Sequence, residues 1–121
     1  MTGPNFLLLY VDSPAKSRTF YEALLERAPV EASPNFVMFA LDSGVMLGLW
    51  SRHEIEPPAT APGGVELAFA VAGDAAVDAT FADWSARGLA IAQAPATLDF
   101  GHTFVALDPD GHRLRVFAPG A

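Results

Sequence analysis

The stretch FGHTFVALDPDGHRLRVFAP, residues 100–119, constrains this chain more than any other. Residues 103–107 and 113–117 are runs rich in apolar and β-branched side chains, the composition of strands. Between them stands Asp108-Pro109-Asp110-Gly111. Asp opens a turn, Pro presets φ and Gly accepts a positive φ at the close, so this stretch predicts a β-hairpin. Residues 36–51, FVMFALDSGVMLGLWS, repeat the outline with Asp42-Ser43-Gly44 at the turn. A hairpin that occurs twice predicts an internal repeat, and a repeat of this length bears on the whole fold.

The residues before each hairpin complete the unit. Phe6–Val11 (FLLLYV) is a short, fully apolar run that suits a buried strand. Asp12 or Ser13 can cap a helix, with Pro14 in its first turn. Phe20, Tyr21, Leu24, Leu25 and Ala28 then form an apolar stripe at helical spacing, Lys16, Arg18, Glu22 and Glu26 face water, and Pro29 is expected to stop the helix. Residues 30–32 read as a short strand, followed by hairpin strands 36–41 and 45–51. Residues 52–64 (RHEIEPPATAPGG) have the Pro and Gly density of a linker. The pattern then restarts. Residues 65–71 predict a strand and Asp74 a helix N-cap. Val77, Phe81 and Trp84 share one helical face, with Trp84 expected in the core, and Gly88 is expected just past the helix end. Residues 89–93 predict a strand, 95–99 a loop, and the second hairpin closes the chain. The order is β-α-β-β-β twice: an α+β chain forming one domain, 1–121, with module one at 4–51, the linker at 52–64 and module two at 65–119.

Several functions are disfavoured by composition. With 121 residues, 51% hydrophobic and 17% charged, the chain has the apolar content for a packed core. No apolar run approaches the roughly 20 residues of a membrane helix. Phe6–Val11 is too short for a signal peptide and no basic stretch precedes it, so a cytoplasmic location is expected. The absence of cysteine removes disulfides, thiolate metal sites and a Cys nucleophile. A net charge of −7 makes nucleic acid or an anionic membrane a poor partner, and a neutral or weakly cationic small molecule fits that charge better.

Three pieces, in order along the chain, carry a family resemblance. They are the opening strand followed by Ser17-x-x-Phe20-Tyr21, the Pro/Gly linker, and Asp108-Pro109-Asp110-Gly111-His112 before a final strand. Together they resemble the vicinal oxygen chelate superfamily of glyoxalases, bleomycin resistance proteins and extradiol dioxygenases. The resemblance implies two modules forming a cup-shaped mixed sheet with helices outside, a ligand in the cup, and a homodimer. Metal-using members carry His, Gln or Glu at four strand positions, which fall here on Phe6, Gly48, Glu66 and Arg115. A divalent cation needs several such donors and is repelled by a guanidinium. No metal, no other cofactor and no catalytic residue is therefore expected. The alternative is a metal-dependent glyoxalase-like lyase or extradiol-type dioxygenase using a displaced site.

Strand alternation selects the cup lining. If position 6 faces inward, Leu8 and Tyr10 do too, while Leu7, Leu9 and Val11 back onto the helices. The same parity turns Met46, Gly48 and Trp50 inward, with Glu66, Ala68, Ala70, Arg113, Arg115 and Phe117, and the small residues Gly48, Ala68 and Ala70 would leave room for a ligand. Leu49-Trp50-Ser51 and Phe100-Gly101-x-Thr103-Phe104 resemble the phenazine-resistance branch of the superfamily, which implies a planar aromatic antibiotic stacked between rings and sequestered rather than turned over. The ligand-binding set so implied is Tyr10, Met46, Gly48, Trp50, Ser51, Glu66, His102, Phe104, Arg115 and Phe117. Trp50 fits equally a ligand wall or packing at the module junction. Phe36 and Phe104 fit core packing or a dimer contact as well as a ligand. Arg115 either holds a ligand carboxylate or pairs with Glu66, and burial demands that it have a partner. His53 and His112 are expected to be exposed. No Ser-His-Asp set and no phosphate-binding glycine loop is present.

Overall fold

In the computed structural model, which describes residues 3–61 and 63–120, the chain divides after residue 61 into two compact units. The first runs β1 (Phe6–Val11), α1 (Pro14–Leu25), β2 (Glu31–Ala32), β3 (Phe36–Ala40) and β4 (Met46–Ser51). The second runs β5 (Glu66–Ala70), α2 (Asp74–Ala86), β6 (Ala90–Leu98), β7 (Gly101–Leu107) and β8 (Arg113–Pro119). Each is a four-stranded mixed sheet, ordered β1-β4-β3-β2 in one module and β5-β8-β7-β6 in the other. In both, the first strand pairs in parallel with the last, and the remaining pairs are antiparallel. The duplicated α+β module read from the sequence is therefore present.

The two hairpin turns are closed by the same bonds. Gly44 N–H donates to Leu41 O at 3.0 Å and Leu41 N–H to Val45 O at 3.0 Å, just as Gly111 N–H donates to Asp108 O at 3.0 Å and Asp108 N–H to His112 O at 3.0 Å. The glycines lie at φ +91° and +88°, where a Cβ would be strained. The second turn is further pinned by the buried Asp108, whose Oδ1 accepts the amides of Asp110 at 2.9 Å and His112 at 2.8 Å.

The helices are bounded differently from the sequence expectation. Ser13 caps α1, its hydroxyl accepting Lys16 N–H at 3.2 Å, with Pro14 in the first turn. α1 ends at Leu25, before Pro29, because Glu26 takes the left-handed conformation (φ +53°). Arg27 then reaches the β3–β4 turn, donating to Ala40 O and to Asp42 Oδ1. Ala28 is thus exposed outside the helix, and Pro14, Ser17 and Tyr21 are the buried face. At α2 the N-cap is Gly73, with no side-chain bond, and Asp74 is the first helical residue, where its carboxylate meets the positive end of the helix dipole. The expected strand 89–93 and loop 95–99 are one strand, β6, with register shifts between Ile91 and Gln93 and between Gln93 and Ala96. Pro95 is tolerated because β6 is the outermost strand and its ladder is already broken there.

Each sheet buries one face under its helix. In module one Leu9, Val11, Val37, Phe39, Leu47 and Leu49 are no more than 5% exposed, with Tyr21 of α1 wholly buried. In module two an aromatic stack does this work. Phe104 lies edge-on to Phe81 (5.4 Å) and Trp84 (5.5 Å), and Trp84 to Phe69 (5.9 Å).

Candidate functional site

Because paired strand residues share a face, the register fixes what each sheet presents on the side away from its helix. In module one Phe6 pairs with Met46, Leu8 with Gly48 and Tyr10 with Trp50, while β3 sets Met38 opposite Gly48 and Phe36 opposite Trp50. The face is therefore apolar across β1, β3 and β4, with Glu31 of the edge strand β2 beside Met38. Phe6, Leu8 and Tyr10 remain 54%, 40% and 42% exposed, unusual for large apolar groups. Phe6, Leu8, Phe36 and Trp50 line an open concavity of about 380 Å³. The Phe36 and Trp50 rings meet edge to face with centroids 6.0 Å apart, which orients the indole. Gly48 does not leave room here. A Cβ on it would stand 2.6 Å from Leu8 Cδ2 and 2.9 Å from the Phe36 ring, so those two side chains already fill the space above its backbone.

Module two presents a different face. Glu66 pairs with Arg113, Ala68 with Arg115 and Ala70 with Phe117. Arg115 Nε donates to Glu66 Oε1 at 2.6 Å, Nη1 donates to Thr103 Oγ1 at 3.2 Å, and the guanidinium carbon lies 5.6 Å from the centre of the Phe100 ring. Thr103 is fully buried and its hydroxyl donates to Val116 O at 2.9 Å, which leaves its oxygen to accept from Arg115. The pairing that sequence left open between Arg115 and Glu66 is thus made. Glu66, Ala68, Phe100, Arg115 and Phe117 line a concavity of about 360 Å³, and Phe100 meets Phe117 edge-on at 6.1 Å.

The other named residues fall elsewhere. Ser51 pairs with Val11 on the helix side of its sheet, 7% exposed, and its Oγ accepts the His53 amide at 3.3 Å. Phe104, expected at the ligand, is wholly buried against α2. His102 is on that same side, with Nε2 2.8 Å from Asp78 Oδ1 of α2 and Nδ1 3.0 Å from Thr97 Oγ1. The physical reason is parity: with Thr103 paired to Phe117, its neighbours His102 and Phe104 must point the opposite way. Tyr10 and Met46 share the open face of module one but do not line its concavity. Among the histidines outside β7, His53 is exposed and bonds Asp12 Oδ1 at 2.7 Å, whereas His112 is half-buried. Phe6, Leu8, Phe36 and Phe100 line the two concavities but were outside the implied ligand set. The first two follow from the alternation through Tyr10, whereas Phe100 precedes β7 and no alternation reaches it.

The donor set does not fit a divalent metal. In module one the two superfamily positions hold Phe6 and Gly48, which offer no side-chain donor. In module two they hold Glu66, already bonded to a guanidinium, and Arg115 itself. Among the described residues no three His, Asp or Glu side chains converge. Also among the described residues, no helix is long and apolar enough to cross a membrane.

Comparison with known proteins agrees with this architecture. The family described as Glyoxalase/Bleomycin resistance protein/Dioxygenase superfamily matches residues 3–116. The phenazine antibiotic resistance protein EhpR of Enterobacter agglomerans is 33% identical over 116 residues, covering 93% of this chain and 89% of that protein. An Agrobacterium tumefaciens protein with a solution NMR structure is 56% identical, covers 100% of both chains and superposes with a TM-score of 0.92. A glyoxalase-related enzyme from Fulvimarina pelagi shares the fold at 21% identity, with a TM-score of 0.83 over 98% of this chain and 88% of its own.

Proposed function

The chain belongs to the glyoxalase/bleomycin resistance/dioxygenase superfamily, and from that premise we propose that it is a binding protein that sequesters a planar aromatic antibiotic of the phenazine type without a metal ion. Tight binding without turnover lowers the free drug concentration and protects the host. The observation that carries this reading is the open face of module one, where Phe6, Leu8, Phe36 and Trp50 surround a concavity with no charged lining residue. Its volume, about 380 Å³, falls in the range of small-molecule sites, roughly 300–1,000 Å³. A flat heteroaromatic ring gains there both apolar burial and stacking on the indole. The relationship to a phenazine resistance protein supports the ligand class. The reading includes a homodimer acting in the cytoplasm.

Purified protein titrated with phenazine-1-carboxylate tests it through tryptophan fluorescence. Trp84 is buried behind the other sheet, so quenching on binding reports Trp50. Saturable quenching that disappears in Trp50→Ala is the expected result. Flat titrations would overturn the ligand class, and stoichiometric zinc, nickel, iron or manganese in protein purified without chelator would overturn the metal-free reading.

A further inference from the structure

Two concavities on the open face of module two share Glu66 as a common wall. One, of about 720 Å³, runs past Gly64, Gly111 and Arg113; the other, of about 360 Å³, is lined by Ala68, Phe100, Arg115 and Phe117. Arg113 and Arg115 are two residues apart on β8 and so project from the same face. Their situations differ. Arg115 is engaged by Glu66, Thr103 and the Phe100 ring. Arg113 is exposed, and its guanidinium makes no hydrogen bond or ion pair among the described residues. The strands of this face therefore carry two cations against one acid, a local excess of one positive charge in a chain whose net charge is −7.

We propose that this groove binds a planar aromatic monocarboxylate, with the carboxylate on Arg113 and the ring against Phe117 and Phe100. The inference adds a second surface, on module two, to the binding reading above and rests on that reading for the aromatic class. It departs from what net charge alone suggests, because at contact distance the unscreened charges of the groove outweigh the screened charges farther away. A guanidinium presents two parallel N–H groups matched to one carboxylate. Arg115 already spends Nε on Glu66 and Nη1 on Thr103, whereas the whole guanidinium of Arg113 is uncommitted. A dianion such as a phosphate monoester would set its second charge near the Glu66 carboxylate, which disfavours it. A neutral amide keeps the ring contacts and loses the charge-assisted bond.

The test uses phenazine-1-carboxylate and phenazine-1-carboxamide, which differ in charge and hardly in shape, with dissociation constants from equilibrium dialysis on wild type and Arg113→Gln. A parallel titration with 2-naphthoate follows the backbone amides of residues 66, 113 and 115 by NMR. Wild type is expected to prefer the acid about tenfold, a ratio that falls to about one in Arg113→Gln. Equal affinity for acid and amide in wild type, or a preference that survives Arg113→Gln, overturns the inference and leaves phenazine binding standing. Failure of both phenazines, with 2-naphthoate still shifting these amides in wild type and not in Arg113→Gln, overturns the phenazine reading and supports the anion groove. Silence from all three probes overturns both.

Discussion

The two modules hang inverted side chains on one backbone plan. Gly48 occupies in β4 the place Arg115 occupies in β8, and Phe36 pairs with Trp50 as Thr103 pairs with Phe117. On the other flank Leu8 stands beside Gly48 where Ala68 stands beside Arg115. In module one the central residue is the smallest possible and its neighbours close over it. In module two the neighbours are small and the central residue is long, filling the space with a guanidinium. Cross-strand neighbours thus trade volume about the central residue, while the chemistry there changes from apolar to charged. Such a trade gives one chain two chemically different faces without altering strand order.

The contrast can be broken most forcefully from behind. Phe104→Ala should cost about 3–5 kcal/mol of stability in urea unfolding, because it removes the centre of the aromatic stack. Unchanged ligand affinity in whatever fraction remains folded would fit its place on the helix side. Trp50→Ala should weaken a planar ligand by about 1–3 kcal/mol while costing less stability than Phe104→Ala, as paired titration and unfolding would reveal. Gly48→Leu would make module one imitate the bulk of module two. It should cost about 1–3 kcal/mol, since Leu8 and Phe36 must move, and should abolish Trp50-linked quenching. The ion pair is a smaller matter. A double-mutant cycle on Glu66→Gln and Arg115→Met should give a coupling of about 1 kcal/mol that shrinks in high salt, because both side chains keep some water contact. Smallest of all, Gly73→Ser would give α2 the hydroxyl cap that α1 has in Ser13 and should raise stability by a few tenths of a kcal/mol in the same unfolding assay.

Much of the frame was legible because turns and alternation are local. Asp42-Ser43-Gly44 and Asp108-Pro109-Asp110-Gly111 announce hairpins, and period-two alternation from Phe6 and from Glu66 selects a face. What the sequence could not supply was anything set by a partner across the fold. The motif resemblance puts Phe104 and His102 in the ligand set, but the register of Thr103 with Phe117 turns both to the helix side, and for Phe104 the core alternative holds. Gly48 looked like empty room because glycine by itself says nothing of who leans over it. α1 ends before Pro29 because Glu26 turns left-handed, a local choice that no helix-breaking residue announces. Arg113 and Arg115 look alike in the sequence, and only the geometry shows which one is already committed.

Pro95 has a consequence for solubility. A sheet's outer strand offers its unpaired amides to any other extended chain, and long, regular, apolar edges seed aggregation. One edge of each sheet is a poor template: β2 is only two residues long, and β6 is interrupted by two register shifts and a residue that lacks an N–H. Replacing Pro95 with Val would return a donor and a β-branched side chain to that edge. Turbidity on prolonged warming should then rise even where the melting temperature does not fall.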